Sequence, residues 1–163
     1  MFRAMAMLAG LLLWPWAVAA EEAGQVLTGP AAVLAGDRVR VEGLELRLYG
    51  IAALDESGSS GGAAAAKLAR VIAGRPLTCA VVARDGSGPE APREALCKVG
   101  GLEGSDIAAI MVDAGWASAE RSRSLRRLRP ELIRLYVRLE VEARAACLGL
   151  WRTQAACQEQ SRQ

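Results

Sequence analysis

The sequence predicts an α+β domain, a small Greek-key β-barrel with helices packed on it. Two observations lead there. Segments in which apolar residues alternate with polar ones are interspersed with segments of helical spacing, in the order strands, helix, strands, helix, helix. In addition, the 163 residues contain no repeat, linker or second compositional region, which suits one domain with a sizeable core.

Residues 31–35 read as the incoming strand. Val39 and Val41, then Leu44, Leu46 and Leu48, alternate with charged residues on both sides of Glu42-Gly43, a hairpin with one apolar face. Residues 57–62 are Ser and Gly only and read as a loop. Residues 63–74 then form a short helix with Leu68, Val71 and Ile72 inward and Gly74 at its end. Two strand-like runs follow, PLTCAVVA and EALCKV, joined by the turn-rich RDGSGPEAPR. Ser105 is placed as the cap of a second helix carrying Ile107, Ile110, Met111 and Ala114, with Gly115 past its end. A third helix begins at Pro130; Leu132, Leu135, Tyr136, Leu139, Ala143 and Ala146 form its stripe, and Gly149 stops it before Leu150-Trp151.

The first twenty residues carry one cation, Arg3, an apolar run, and small residues at Ala17, Ala19 and Ala20 before two acids. This is the pattern of a secretory signal peptide, 1–20, cleaved near Ala20. A membrane anchor would need about 20 consecutive apolar residues, and Pro15 interrupts this shorter run, so no membrane span is expected after cleavage. The expected organisation is then an N-terminal segment 21–30, a domain 31–152 and a tail 153–163, in a protein exported to the periplasm or secreted. Losing Arg3 lowers the formal charge from +2 to +1, so attraction for a polyanion has to be local.

Four cysteines in an exported chain read as two disulfides. A hairpin of the two cysteine strands brings Cys79 to Cys97, and Cys147 and Cys157 are neighbours around a helix end; each bridge is worth about 3 kcal/mol by loop entropy. There is no C-x-x-C and no histidine, which argues against zinc and removes Ser-His and Cys-His catalysis.

Four segments carry a family resemblance: GDRVRVEGLELRLYGIAALDE; AAAAKLARVIAGRPLTC; ALCKVGGLEGSDIAAIMVDAGWA; and YVRLEVEARAACLGLW. Within them, G-D followed by L-R-L-x-G-I, then D-I-x-x-x-x-V-x-x-G-W-A, then E-x-x-A-R…G-L-W, in this order and spacing from about Val33 to Trp151, resembles the staphylococcal nuclease-like, or thermonuclease, family. The resemblance implies a five-stranded OB-fold barrel with three packed helices, and exported members with similar cysteines support pairing Cys79 with Cys97. It implies cleavage of DNA or RNA phosphodiesters with Ca²⁺, using two metal-ligating aspartates, a glutamate general base and two phosphate-holding arginines. Those residue types suit the chemistry: carboxylates for a hard cation, guanidinium forks for a charged phosphorane, and a base for the attacking water.

Carried over position by position, the resemblance puts Asp37 on the first metal aspartate and Arg47 on the first phosphate-binding arginine. Ala52 falls on the second metal aspartate, so one ligand is missing. Asp55 falls on the general base, one methylene short, and a one-residue shift would offer Glu56. Arg93 is the candidate second arginine, although family spacing points to Pro92 and the expected Tyr-Gly is replaced by Ala91-Pro92.

Simpler readings stand beside these. Asp37 after Gly36 is also an ordinary turn residue, Arg47 a strand arginine paired with Glu45 or another acid, and Asp55 and Glu56 a solvated turn. The run RSRSLRRLR is a candidate nucleic-acid contact through Arg121, Arg123, Arg126 and Arg127, or a solvated loop entering the third helix; no aromatic interleaves it for base stacking. Tyr49, Trp116 and Trp151 read as core or helix-docking residues. Two functions follow: a nuclease-like hydrolase of weak or altered activity, or a non-catalytic OB module that binds DNA, RNA or a protein partner.

Overall fold

The computed structural model describes residues 24–54, 59–84 and 93–160. The expected signal peptide and the candidates Asp55 and Glu56 lie outside the described residues.

The first hairpin forms where alternation placed it. β3 (Arg38–Val41) and β4 (Leu44–Leu48) pair antiparallel with Val41 opposite Leu44, and Glu42 and Gly43 between them both take positive φ, 50° and 81°. This is the backbone that a two-residue turn between right-twisted strands needs, and glycine reaches it without steric cost. β2 (Ala31–Ala35) adds antiparallel to β3, as expected for the incoming strand. β6 (Leu77–Arg84) and β7 (Arg93–Val99) pair antiparallel with Cys79 directly opposite Cys97, and both disulfides, Cys79–Cys97 and Cys147–Cys157, are present.

These strands make a mixed sheet in the order β1-β6-β7-β4-β3-β2, in which β1 is Val26–Gly29, the β4–β7 pair is parallel, and the short β8 (Ser105–Asp106) flanks β7. β1 draws part of the segment 21–30 into the sheet. β5 (Ile51–Ala53) and β9 (Ala117–Ala119) form a separate two-stranded ribbon. No closed barrel is found among the described residues. The two outer strands of the order, β1 and β2, do not pair with each other, yet they are consecutive in the chain with Pro30 alone between them.

α1 (Ser59–Ile72) and α2 (Ile107–Asp113) pack on the sheet, and α4 (Pro130–Ala145) packs on α2 and β9; Ala64, Leu68, Ile72, Ile107, Met111, Ile133 and Tyr136 join Val39, Val41, Leu46, Leu48 and Val81 in one buried core. Each large side chain so buried contributes about 1.5–3 kcal/mol of transfer free energy. A 3-10 helix (Gly149–Thr153) and α5 (Ala155–Gln160) follow α4, with the second disulfide tying Cys157 back to Cys147.

Several local expectations are corrected. α1 starts at Ser59, so Ser59 to Gly62 are helical rather than loop. The cap of α2 is Asp106, one residue after Ser105: its Oδ1 accepts the amides of Ala108 at 2.9 Å and Ala109 at 3.4 Å. Part of the basic run is a short helix, α3 (Arg123–Leu128). The buried face of α4 is Ile133, Tyr136, Glu140 and Ala143, with the predicted leucines along its flanks and Ala146 exposed.

The motif glycines of G-W-A and G-L-W meet each other. A Cβ on Gly149 would stand 2.4 Å from the Gly115 carbonyl oxygen, which accepts the Leu150 amide at 2.9 Å. Only glycine allows two backbones this close, which ties the end of α2 to the end of α4.

Candidate functional site

Asp37 stands in the two-residue turn from β2 to β3. Gly36 before it is clamped, since a Cβ there would lie 2.5 Å from that of Ala64 on α1 and 3.0 Å from that of Ala53 on β5. The Asp37 carbonyl accepts the Leu48 amide at 2.8 Å, and the register sets Arg38 opposite Arg47. Backbone pairing therefore delivers Arg47 to Asp37.

The Asp37 carboxylate is 1% exposed. Arg47 Nε lies 3.7 Å from its Oδ2 and Arg38 Nε 3.7 Å from its Oδ1, but neither oxygen accepts a hydrogen bond among the described residues. Arg47 Nη2 also reaches Glu120 Oε2 at 3.3 Å. Glu120 follows β9 and is held there by its amide, which donates to the Gly50 carbonyl at 2.8 Å. Glu45, the simpler partner proposed for Arg47, stands 3.9 Å from Arg38 and 4.0 Å from Arg40.

Ala52 registers opposite Ser118, whose hydroxyl donates to the Ala52 carbonyl at 3.4 Å, so the ribbon brings no carboxylate to this position. Arg93 opens β7 in register with Leu46, and it is Glu94 that registers beside Arg47. Glu94 is itself buried, and its charge reaches Tyr49: burial first, then the Glu94 carboxylate, raise the Tyr49 phenol above its ordinary value of 10.0, against an opposing effect of Arg129. Among the described residues, no group of three or more His, Cys, Asp or Glu side chains is placed to hold a metal ion.

A second ion cluster lies on α4. Glu140 is fully buried; its Oε2 accepts Arg121 Nη2 at 2.8 Å and the Ala119 amide at 3.2 Å, and its Oε1 accepts Arg144 Nη2. Arg144 in turn stacks over Trp151, 4.0 Å from the ring centroid. This gives E-x-x-A-R…G-L-W a physical meaning: Glu140 docks α4 on β9, Ala143 is buried one turn on, and Arg144 links Glu140 to the buried Trp151.

The arginines of the basic run divide. Arg121 and Arg126 line a cleft of about 570 Å³ together with Arg134 and Arg138 of α4, over Pro130, Ile133 and Val137. Arg127 is exposed on the last turn of α3, and Arg123 opens that helix. The cleft is a different place from Asp37, although Glu120 and Arg121 are adjacent in the chain. Sequence reasoning missed Glu120, Glu140, Arg134 and Arg138. The last two stand one helical turn apart, a spacing that could have found them.

No protein-family model matches the chain, and no curated protein matches it. Among the described residues, no helix is long and apolar enough to cross a membrane.

Proposed function

We propose that the chain is an exported thermonuclease-like domain of OB type whose phosphodiester-cleaving centre has weak or no activity, and which acts as a binding module. One observation carries this reading. Arg47, the arginine that would hold the phosphate, lies against two carboxylates of the chain itself, Asp37 and Glu120. A phosphate approaching Arg47 has to displace Glu120, at the cost of like-charge repulsion in a partly desolvated site.

The remaining support is consistent with it. Segments 26–29 and 31–35 give the sheet order both of its outer strands, as one bent strand of a small barrel would. A calcium ion asks for six to eight oxygen ligands. Among the described residues the centre holds two carboxylates, Asp37 and Glu120, both against guanidinium groups, with Ala52 in place of the second acid, which argues against a calcium site. Asp55, outside the described residues, has no cation-held water to deprotonate on this reading.

The test is cleavage of single-stranded DNA with Ca²⁺ by the mature, oxidised chain. Little or no product is expected. Ala52→Asp combined with Glu120→Gln should raise calcium affinity in a calorimetric titration, because it adds a ligand and takes a competing charge off Arg47. Cleavage by the unmodified chain that Asp37→Asn abolishes would overturn the proposal.

A further inference from the structure

We infer that the cleft between α3 and α4 binds an amphiphilic anion, a carboxylate, sulfate or phosphate head on one short apolar chain. The inference goes beyond the reading of the Asp37 centre and holds whether or not that centre cleaves.

The cleft's volume, about 570 Å³, is that of a small-molecule site rather than a macromolecular groove. Its floor is apolar and firmly seated: Ile133 is 3% exposed and packs on Gly50, where an added Cβ would fall 2.7 Å from Ile133 Cδ1, and Pro130 and the half-buried Val137 continue the floor. Such a floor takes up a chain of methylene groups, each worth about 0.8 kcal/mol when buried.

The rim has one sign of charge. Arg121 is fixed by Glu140 and by the Ala119 carbonyl, which accepts its Nη1 at 3.4 Å, and a guanidinium has five donors, so further ones remain for a ligand. Arg138 is only loosely engaged, 4.0 Å from Glu142. Neither Arg126 nor Arg134 has a carboxylate within ion-pair distance among the described residues, and both are exposed. Four guanidinium groups around one apolar slot select against neutral and cationic amphiphiles and offer bidentate contacts to an oxyanion. Among the described residues no aromatic side chain lines the cleft, so a nucleic acid would find phosphate contacts there but no surface on which to stack its bases.

The experiment is calorimetric titration of the oxidised chain with decanoate, below its micellar range, beside three controls: octyl glucoside for the head, butyrate for the chain, and inorganic phosphate for the anion alone. Decanoate should bind saturably at one site, and each control about tenfold more weakly or worse. Arg126→Gln with Arg134→Gln should weaken decanoate about tenfold or more with an unchanged melting temperature, since neither arginine has a carboxylate partner among the described residues. Val137→Asn should weaken decanoate and leave phosphate unaffected. Octyl glucoside binding as tightly as decanoate, or decanoate affinity unchanged in the double arginine variant, would overturn the inference. So would an oligothymidylate that binds with a steep salt dependence lost in that variant while decanoate does not bind, which would assign the arginines to nucleic acid.

Discussion

Two buried carboxylates in this molecule each face two arginines, and they are solved differently. Glu140 accepts hydrogen bonds from Arg121, Arg144 and the Ala119 amide. Asp37 has Arg38 and Arg47 near, both at 3.7 Å, and accepts no hydrogen bond among the described residues. The charges are the same and the burial is the same, so geometry alone separates them. A buried acid with its acceptors filled is a fastener; one with its acceptors unfilled holds desolvated charge that contributes little to the fold. Glu120 and Arg121, successive residues after β9, send one side chain to each cluster.

The contrast breaks most visibly at Glu140. Glu140→Ala leaves two arginines and an amide without their acceptor and should cost about 3–5 kcal/mol, seen as a large fall in melting temperature. A loss under about 1 kcal/mol would mean that water fills the gap and that the two clusters are energetically alike.

One turn earlier on α4, Tyr136 extends the satisfied network by donating its hydroxyl to Asp106 Oδ2 at 2.6 Å. Burial, then the Asp106 carboxylate, push the Tyr136 phenol far above its ordinary value of 10.0. The folded chain keeps this proton where the unfolded chain loses it. Stability is therefore full below about pH 10 and falls as pH rises beyond it. Tyr136→Phe should cost about 1.5–3 kcal/mol at neutral pH and flatten the alkaline decline. Chemical denaturation across the alkaline range checks both, and an unaltered slope in the variant would assign the decline to other groups.

The smallest effect sharpens the comparison. Asp37→Asn removes a carboxylate whose desolvation is not repaid by hydrogen bonds, so it should change stability by less than about 1 kcal/mol. A loss matching that of Glu140→Ala in the same denaturation series would place Asp37 among the fasteners.

The same division marks what could be read from the chain. The β3–β4 hairpin was legible because Val39, Val41, Leu44, Leu46 and Leu48 repeat every second residue around a Glu-Gly turn, and the cysteine strands because their cysteines sit in matching apolar runs. Asp37 and Arg47 were singled out one at a time through the resemblance; that they stand side by side comes from the β3–β4 register. Glu140 was not: on a helical wheel a glutamate counts as solvent-facing, and only tertiary partners reverse that. Glu120 was hidden because β5 and β9 are three residues each and largely alanine, too short to carry a period. The cap of α2 is one residue later than expected because Ser105 and Asp106 are both good caps, and it is the Asp106 carboxylate that accepts the first helical amides.

Pro30 has a consequence for the order in which the molecule assembles. The strands on either side of it stand at opposite ends of the sheet order, and Val26 finds its partner at Ala80, far downstream. As the chain emerges from the ribosome, β2 can join β3 almost at once, but β1 has to wait until β6 has been made. During that interval its amides and carbonyls are unpaired, and contacts so distant in sequence close slowly. Until then residues 26–29 are an open strand edge, the kind of surface a chaperone covers and a misassembled neighbour would seize.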